Sequence, residues 1–336
     1  MVITKCRSAL VMLSTFVVMW SAGSSALAQD GKLTDVTLQL PWVMLGVYDP
    51  FVLAAQRGFY KEAGLNVIIN EGSGSLTAAQ TVANNRADFG YADVSSGLSL
   101  ASKGAKIKYV AVFMRTSALV ITYRPPVKID KFEDLRGVSV VHGANDAPSQ
   151  VFSALLAKHK MTWNDVKATI VAPTAFAQSF LSDKNSVLLG NYYSTYQSIK
   201  TRDPSAKFVL YSDFGVNLMG SGILVSESML ASKPDVVRRF LAATIKGFEA
   251  AVKDPDAAVE AAAAAFPMVV RPKKEINKAE LLAGLRLLSA PGTEGKPLGW
   301  TGPQHWQQTF ELLRDNAGLD PKTPVSNYYT NDFLPK

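Results

Sequence analysis

The sequence holds one cysteine and three histidines in 336 residues. The cysteine, Cys6, precedes an N-terminal apolar run, so the remainder of the chain has no thiol. That excludes a disulfide framework, a thiolate nucleophile and cysteine-held metals from everything beyond it. His142, His159 and His305 show no spacing with a nucleophile that suggests a triad, and they form no metal-ligand cluster. Beyond the N-terminus no stretch reaches the ~18 uninterrupted apolar residues that a membrane-spanning helix needs. No basic stripe with interleaved aromatics is present, so nucleic acid is not an expected partner. No repeat period is visible, and the alanine-rich Ala261–Ala265 continues an amphipathic helix.

What is present begins with Lys5 and Arg7, the apolar run Ala9–Trp20 and the A-x-A sequence Ala26-Leu27-Ala28. That order predicts a secretory signal peptide over 1–28, with the mature chain starting at Gln29. Cys6 lies ahead of the apolar run, not at a cleavage site where a lipid could be attached. A freely soluble exported protein implies a second membrane to retain it, so a periplasmic location is expected. Without Lys5 and Arg7, 33 basic residues face 28 acidic ones. The surplus is scattered, as in Lys103, Lys106, Lys108 and Lys273-Lys274, and reads as a solvated surface.

About 308 mature residues exceed what one core usually fills, so two lobes are expected. Strand-like runs alternate with helical patterns. Val36–Leu40, Leu65–Ile69, Ala87–Tyr91, Ile107–Phe113 and Leu119–Tyr123 read as strands. Pro50–Glu62, Leu76–Asn85 and Asp93–Ser102 read as helices between them. Arg124-Pro125-Pro126 stops the last of these strands, because proline has no ladder donor. The pattern restarts with strands at Val138–Val141, Ala168–Val171, Val187–Leu189 and Phe208–Tyr211. Helices separate these at Pro148–His159, Thr174–Leu181 and Tyr192–Lys200. Ser221–Ser226 reads as a strand that crosses back, and the rest is mostly helical. The expected fold class is α/β: two lobes joined by two hinge crossings, with a helical C-terminal part. The expected division is 29–124 with 219–336 in lobe 1, and 125–218 in lobe 2. Ligands of open parallel sheets bind beyond the carboxyl ends of the strands, where helix N-termini also open.

Three segments carry a resemblance. The first is Leu40-Pro41-Trp42, then Pro50–Ala54 and Gly58–Val67. The second is Gly72–Ser75 with Ala87–Asp93, and the third is Phe132–Val138. With Tyr211–Gly215 and Ile223–Ser226, they resemble the periplasmic solute-binding proteins of nitrate, sulfonate, taurine and thiamine-precursor uptake systems. The ending Asn331–Pro335 is similar to the pyrimidine-precursor branch. The resemblance covers nearly the whole mature chain. It implies a two-lobed periplasmic binding protein fold of type II, whose hinged lobes close on a small molecule and deliver it to an inner-membrane ABC permease. No cofactor and no catalytic residue are implied, and a monomer is expected.

Candidate ligand-binding residues come from the strand ends and from the resemblance. Gly72, Ser73, Gly74 and Ser75 form a strand-to-helix loop, either an ordinary tight turn or a convergence of backbone N–H groups on ligand. Trp42 ends the first strand, as a stacking surface or as core. Tyr48 and Asp49 stand where the pyrimidine branch often shows histidine, a departure from that pattern. Asp93 and Ser95 follow the third strand, and Asp93 is suited both to capping and to a ligand amine. His142 and Asn145 end a second-lobe strand, with Asn191 and Tyr192 in an equivalent place. Asp213 sits near the crossing back, as a ligand contact or a turn residue. Arg115 is suited to a ligand carboxylate or to an inter-lobe contact.

A binding protein is the leading reading. A thiamine-pyrimidine type enzyme on the same fold is the second, but fungal relatives of that kind carry a cysteine-rich motif that the mature chain lacks. A ligand-binding partner of a sensory receptor is the third. An aminopyrimidine, an organosulfonate such as taurine, and an aromatic or small carboxylate are the candidate ligands, with cleft aromatics favouring a flat ring.

Overall fold

Ten strands build two five-stranded sheets in a computed structural model that describes residues 33–336 apart from Asn145, Pro321 and Lys322. The signal-peptide reading of 1–28 and the start at Gln29 lie outside the described residues, as does Asn145.

The first sheet has the order β2-β1-β3-β10-β4, formed by β1 (Thr34–Gln39), β2 (Leu65–Asn70), β3 (Phe89–Asp93), β4 (Ile107–Val112) and β10 (Ser221–Ser226). β1 runs parallel to β2 and β3, while β10 lies antiparallel between β3 and β4. The second sheet has the order β7-β6-β8-β5-β9. Its strands are β5 (Leu119–Tyr123), β6 (Ser139–His142), β7 (Lys167–Ile170), β8 (Ser186–Asn191) and β9 (Lys207–Leu210). β6 is parallel to β7 and β8, and β5 is antiparallel to β8 and β9. The central strands read as continuous apolar runs because both of their faces are covered; β3 and β10 are buried along their whole length.

The expected fold class holds, with one correction to the lobe boundary. Leu119–Tyr123, expected in lobe 1, is a strand of the second sheet. The prolines at 125–126 end that strand; they do not separate the lobes. The first crossing is therefore Phe113–Ala118, and it lies against the return crossing. Gly220 N–H donates to Met114 O at 2.9 Å, Met114 N–H to Ser221 O at 3.0 Å, and Ser117 N–H to Leu218 O at 2.9 Å.

The 20-residue helix Pro234–Lys253 covers the first sheet with a buried stripe that includes Val237, Phe240, Leu241 and Phe248. Phe240 stacks on Phe89 at 3.8 Å and Phe248 on Phe113 at 4.2 Å, so the helix is fixed by ring contacts as well as by area. The C-terminal segment straps the far edge, where Thr330 N–H donates to Tyr109 O and Trp306 stacks on Tyr329. Among the described residues no helix is long and apolar enough to cross a membrane.

Candidate functional site

The carboxyl ends of β1, β3, β6 and β8 point at one cleft, and each is followed by a turn or helix start that lines it. The space between is a cavity of about 330 Å³. From the first sheet come Trp42 after β1, Asp93 at the end of β3 and Ser75 at the start of the helix Ser75–Ala83. From the second come Asp146 at the start of the helix Ala147–Lys158, Phe176 at the start of Phe176–Ser182, and Asn191 at the end of β8.

The lobes touch across the cleft, which stays partly open to solvent. Trp42 and Phe176 stack across its mouth with ring centroids 6.2 Å apart, and Ser96 Oγ donates to Gln150 Oε1 at 3.0 Å. A third wall comes from the helix Lys274–Leu285, which contributes Ile276 and Glu280. This helix is knitted to the turn Gly46–Tyr48. Gly46 N–H donates to Glu280 Oε2 at 2.9 Å, and Asn277 Nδ2 donates to Asp49 Oδ2 at 2.6 Å. The approach is so close that a Cβ on Gly46 would lie 1.9 Å from Asn277 O.

Of the expected site residues, Trp42, Tyr48, Ser75, Asp93 and Asn191 line the cavity. Ser73 lines an adjoining outer recess on the other side of Trp42. Gly72 and Gly74 serve the turn itself. Gly74 N–H donates to Pro41 O at 2.6 Å and Gly72 N–H to Trp42 O at 3.1 Å, so these donors face the neighbouring loop and not the cavity. A Cβ on Gly72 would lie 2.1 Å from Leu40 O, and Gly74 has φ 149°, a region open to glycine.

The remaining expectations lie elsewhere. Asp49 is fully buried behind Tyr48, paired with Asn277, and burial pushes its carboxyl up to about 9. Ser95 is buried and donates to Asp93 Oδ1 from both N–H and Oγ, so it holds the carboxylate without lining the cavity. His142 packs its ring on Trp163 at 4.7 Å and pairs Nδ1 with Gly143 O. Tyr192 packs on Tyr196 and Phe208, and its neighbour Tyr193 takes the cavity position instead. Asp213 accepts from Leu210 N–H in a surface turn. Arg115 is buried with its guanidinium on Pro297 O.

The residues that sequence reasoning missed are Phe176, Tyr193, Lys273 and Glu280. Phe176 and Tyr193 lie just beyond second-lobe strand ends, so the strand-end rule reaches their neighbourhood. Glu280 and Lys273 lie more than two hundred residues beyond Gly46 and Met44, their respective partners, and nothing local in the helix pattern marks them.

The electrostatics of the cavity are acidic. Burial raises Asp93 to about 6, partly offset by the two Ser95 hydrogen bonds. Burial raises Glu280 to about 7, offset by the Gly46 N–H and by Lys273. Asp146 is also raised by burial, but both its oxygens are engaged, by Ser149 N–H at 2.9 Å and Gly143 N–H at 3.2 Å. Burial raises the phenols of Tyr48 and Tyr193 as well, so both remain neutral donors. Each histidine has a structural partner: His142 as above, His159 with Glu133 and Phe214 O, His305 with Gly302 N–H. Among the described residues no group of three or more His, Cys, Asp or Glu is placed to hold a metal.

An aromatic-walled cavity between two α/β lobes is the architecture of a solute-binding protein. The chain belongs to the NMT1/THI5-like family, whose model matches residues 47–258. It is 25% identical over 308 residues to the riboflavin-binding protein RibY of Chloroflexus aurantiacus, covering 90% of this chain and 87% of that one. It is 20% identical over 329 residues to the formylaminopyrimidine-binding protein of Halalkalibacterium halodurans, covering 95% and 97%. In fold it is similar to the alkanesulfonate-binding protein SsuA of Xanthomonas axonopodis pv. citri, with a TM-score of 0.67 and 15% identity over 89% of this chain and 99% of that one.

Proposed function

We propose that this chain is the periplasmic substrate-binding component of an ABC importer, and that it captures a small organic molecule built on a flat ring. The observation that carries the reading is the cavity itself: about 330 Å³, set between the lobes, with Trp42, Tyr48, Phe176 and Tyr193 as aromatic walls. That volume and lining suit a ring-sized ligand. The similarity to riboflavin- and formylaminopyrimidine-binding proteins supports it. An organosulfonate fits less well, because Asp93, Asp146 and Glu280 line the cavity with only Lys273 and Arg202 as cations. The partners are then the small molecule and an inner-membrane permease, with export through residues 1–28. The chain acts as a monomer and performs no chemistry on its ligand.

Mass spectrometry of the small molecule released on denaturing purified protein tests this. A flat heterocycle is expected. Recovery of a sulfonate, or stabilisation by sulfonates alone in a thermal-shift screen, would overturn it.

A further inference from the structure

Two buried carboxylates in the cavity each have one oxygen engaged by the protein and one without a protein partner. Glu280 is 2% exposed and Asp93 6%. Gly46 N–H holds Glu280 Oε2, and Ser95 holds Asp93 Oδ1 through two hydrogen bonds. Glu280 Oε1 and Asp93 Oδ2 accept no hydrogen bond among the described residues, although both side chains line the cavity. Neither oxygen is among the sealed polar atoms without a partner among the described residues, so each can be reached from the cavity by water or by a ligand donor. Both carboxylates are also locked in place, Glu280 by a backbone donor and Asp93 by its role as a helix cap. A locked acceptor reads a ligand more sharply than a mobile one, because its geometry does not adjust to a poor fit.

We propose that Glu280 and Asp93 act as a donor-reading pair, selecting flat-ring ligands that present N–H groups to their free oxygens and rejecting anions of the same shape. The proposal rests on the flat-ring reading above and adds to it the polarity of the ligand. Rejection comes from the same geometry above about pH 7, where both carboxylates are ionised and an anion would face two negative centres.

The groups around Glu280 are Lys273 at the start of its helix, Asp49 behind it, and Tyr48 and Tyr193 beside it. None of these removes the asymmetry. Asp49 and the two phenols stay neutral near pH 7, and Lys273 directs its ammonium to Met44 O at 3.4 Å. Because burial holds Glu280 at about 7 and Asp93 at about 6, N–H donors draw both toward the ionised form. Affinity for such a ligand therefore rises from about pH 5 to about pH 8.

Benzamidine and benzoate test the pair, being flat rings of one size with opposite polarity. Titration calorimetry of the full mature protein is expected to show binding of benzamidine and rejection of benzoate. Glu280→Gln keeps an acceptor for Gly46 N–H but removes the charge. It should lower benzamidine affinity about tenfold or more and narrow the gap to benzoate. Asp93→Asn should act in the same direction, and it serves as the second variant where Glu280→Gln melts early. Equal binding of benzamidine and benzoate would overturn the donor-reading pair and leave the flat-ring reading standing. So would discrimination that survives in both variants. Binding of methanesulfonate with neither ring bound would overturn the flat-ring reading as well.

Discussion

The two walls of the cleft are built from different materials. The first-lobe wall, with the helix Lys274–Leu285, carries aromatic rings and buried carboxylates that are each pinned. Glu280 is held by Gly46, Asp93 by Ser95, and Tyr48 sits edge-on to Tyr91 at 5.9 Å. The second-lobe wall sets two rings, Phe176 and Tyr193, among small polar groups: Asn191, Ser194, Thr195 and Ser198. Its one carboxylate, Asp146, is engaged by its own helix. The first wall thus has fixed electrostatics, while the second offers short hydroxyls that rotate to suit whatever is present.

If that contrast holds, loosening the first wall should do more damage than any change on the second. The largest effect is expected at Gly46. A methyl there would meet Asn277 O and Leu281 N of the facing helix, backbone atoms that yield only if the helix moves. Gly46→Ala should cost about 1–3 kcal/mol of stability, the usual range for overpacking. It should also weaken ligand binding, since the displaced helix carries Glu280. A denaturant melt paired with calorimetry checks both. Unchanged binding with lowered stability would mean that the helix is scaffold and not wall.

Trp42 comes next, because it belongs to the first wall yet reaches across to Phe176. Trp42→Ala should weaken flat-ring binding roughly tenfold, from the loss of a stacking contact of about 0.5–1.5 kcal/mol and of the area it covers. Trp42 is half-buried at the cleft mouth. Its stability cost should therefore fall below the roughly 3–5 kcal/mol of a core tryptophan. Large stability loss with unchanged affinity would move Trp42 into the core and weaken the contrast between the walls.

How much of these walls is legible in the sequence depends on how local each signal is. Strand ends are local, so Trp42, Ser75, Asp93 and Asn191 are reached by taking the residues at or just past the end of an apolar run. Leu119–Tyr123 is misplaced for the opposite reason. A five-residue strand looks the same in either sheet, and only its pairing with β8 and β9 decides. Pattern favours Tyr192 over Tyr193 because a strand leading into a regular helix would aim the first residue inward. The chain instead enters a π-helical turn, Tyr192–Tyr196, which shifts the inward position by one. Glu280 is invisible to such reasoning because its role depends on a contact with Gly46 across more than two hundred residues.

The smallest expected effect on ligand binding separates Asp49 from the carboxylates that face the cavity. Asp49 sits behind the first wall, buried, with Asn277 Nδ2 on Oδ2 and no partner for Oδ1. Burial raises its carboxyl from 3.8 to about 9, so the folded protein holds it neutral at pH 7 while the unfolded chain ionises it. The folded state then binds the extra proton, and stability from this group is full below about pH 4 and declines as pH rises toward 9. Asp49→Asn keeps an acceptor for Asn277 and carries no charge at any pH. Its melting temperature should match the parent near pH 4 and exceed it at pH 8, because only the parent must hold a proton there that its unfolded chain gives up. Ligand affinity should not change, because Asp49 does not line the cavity. Thermal melts across that range, with one affinity measured at pH 7, make the comparison. A variant less stable at pH 8 would mean that Asp49 is ionised in the fold and belongs with Glu280 and Asp93 as a charged part of the wall.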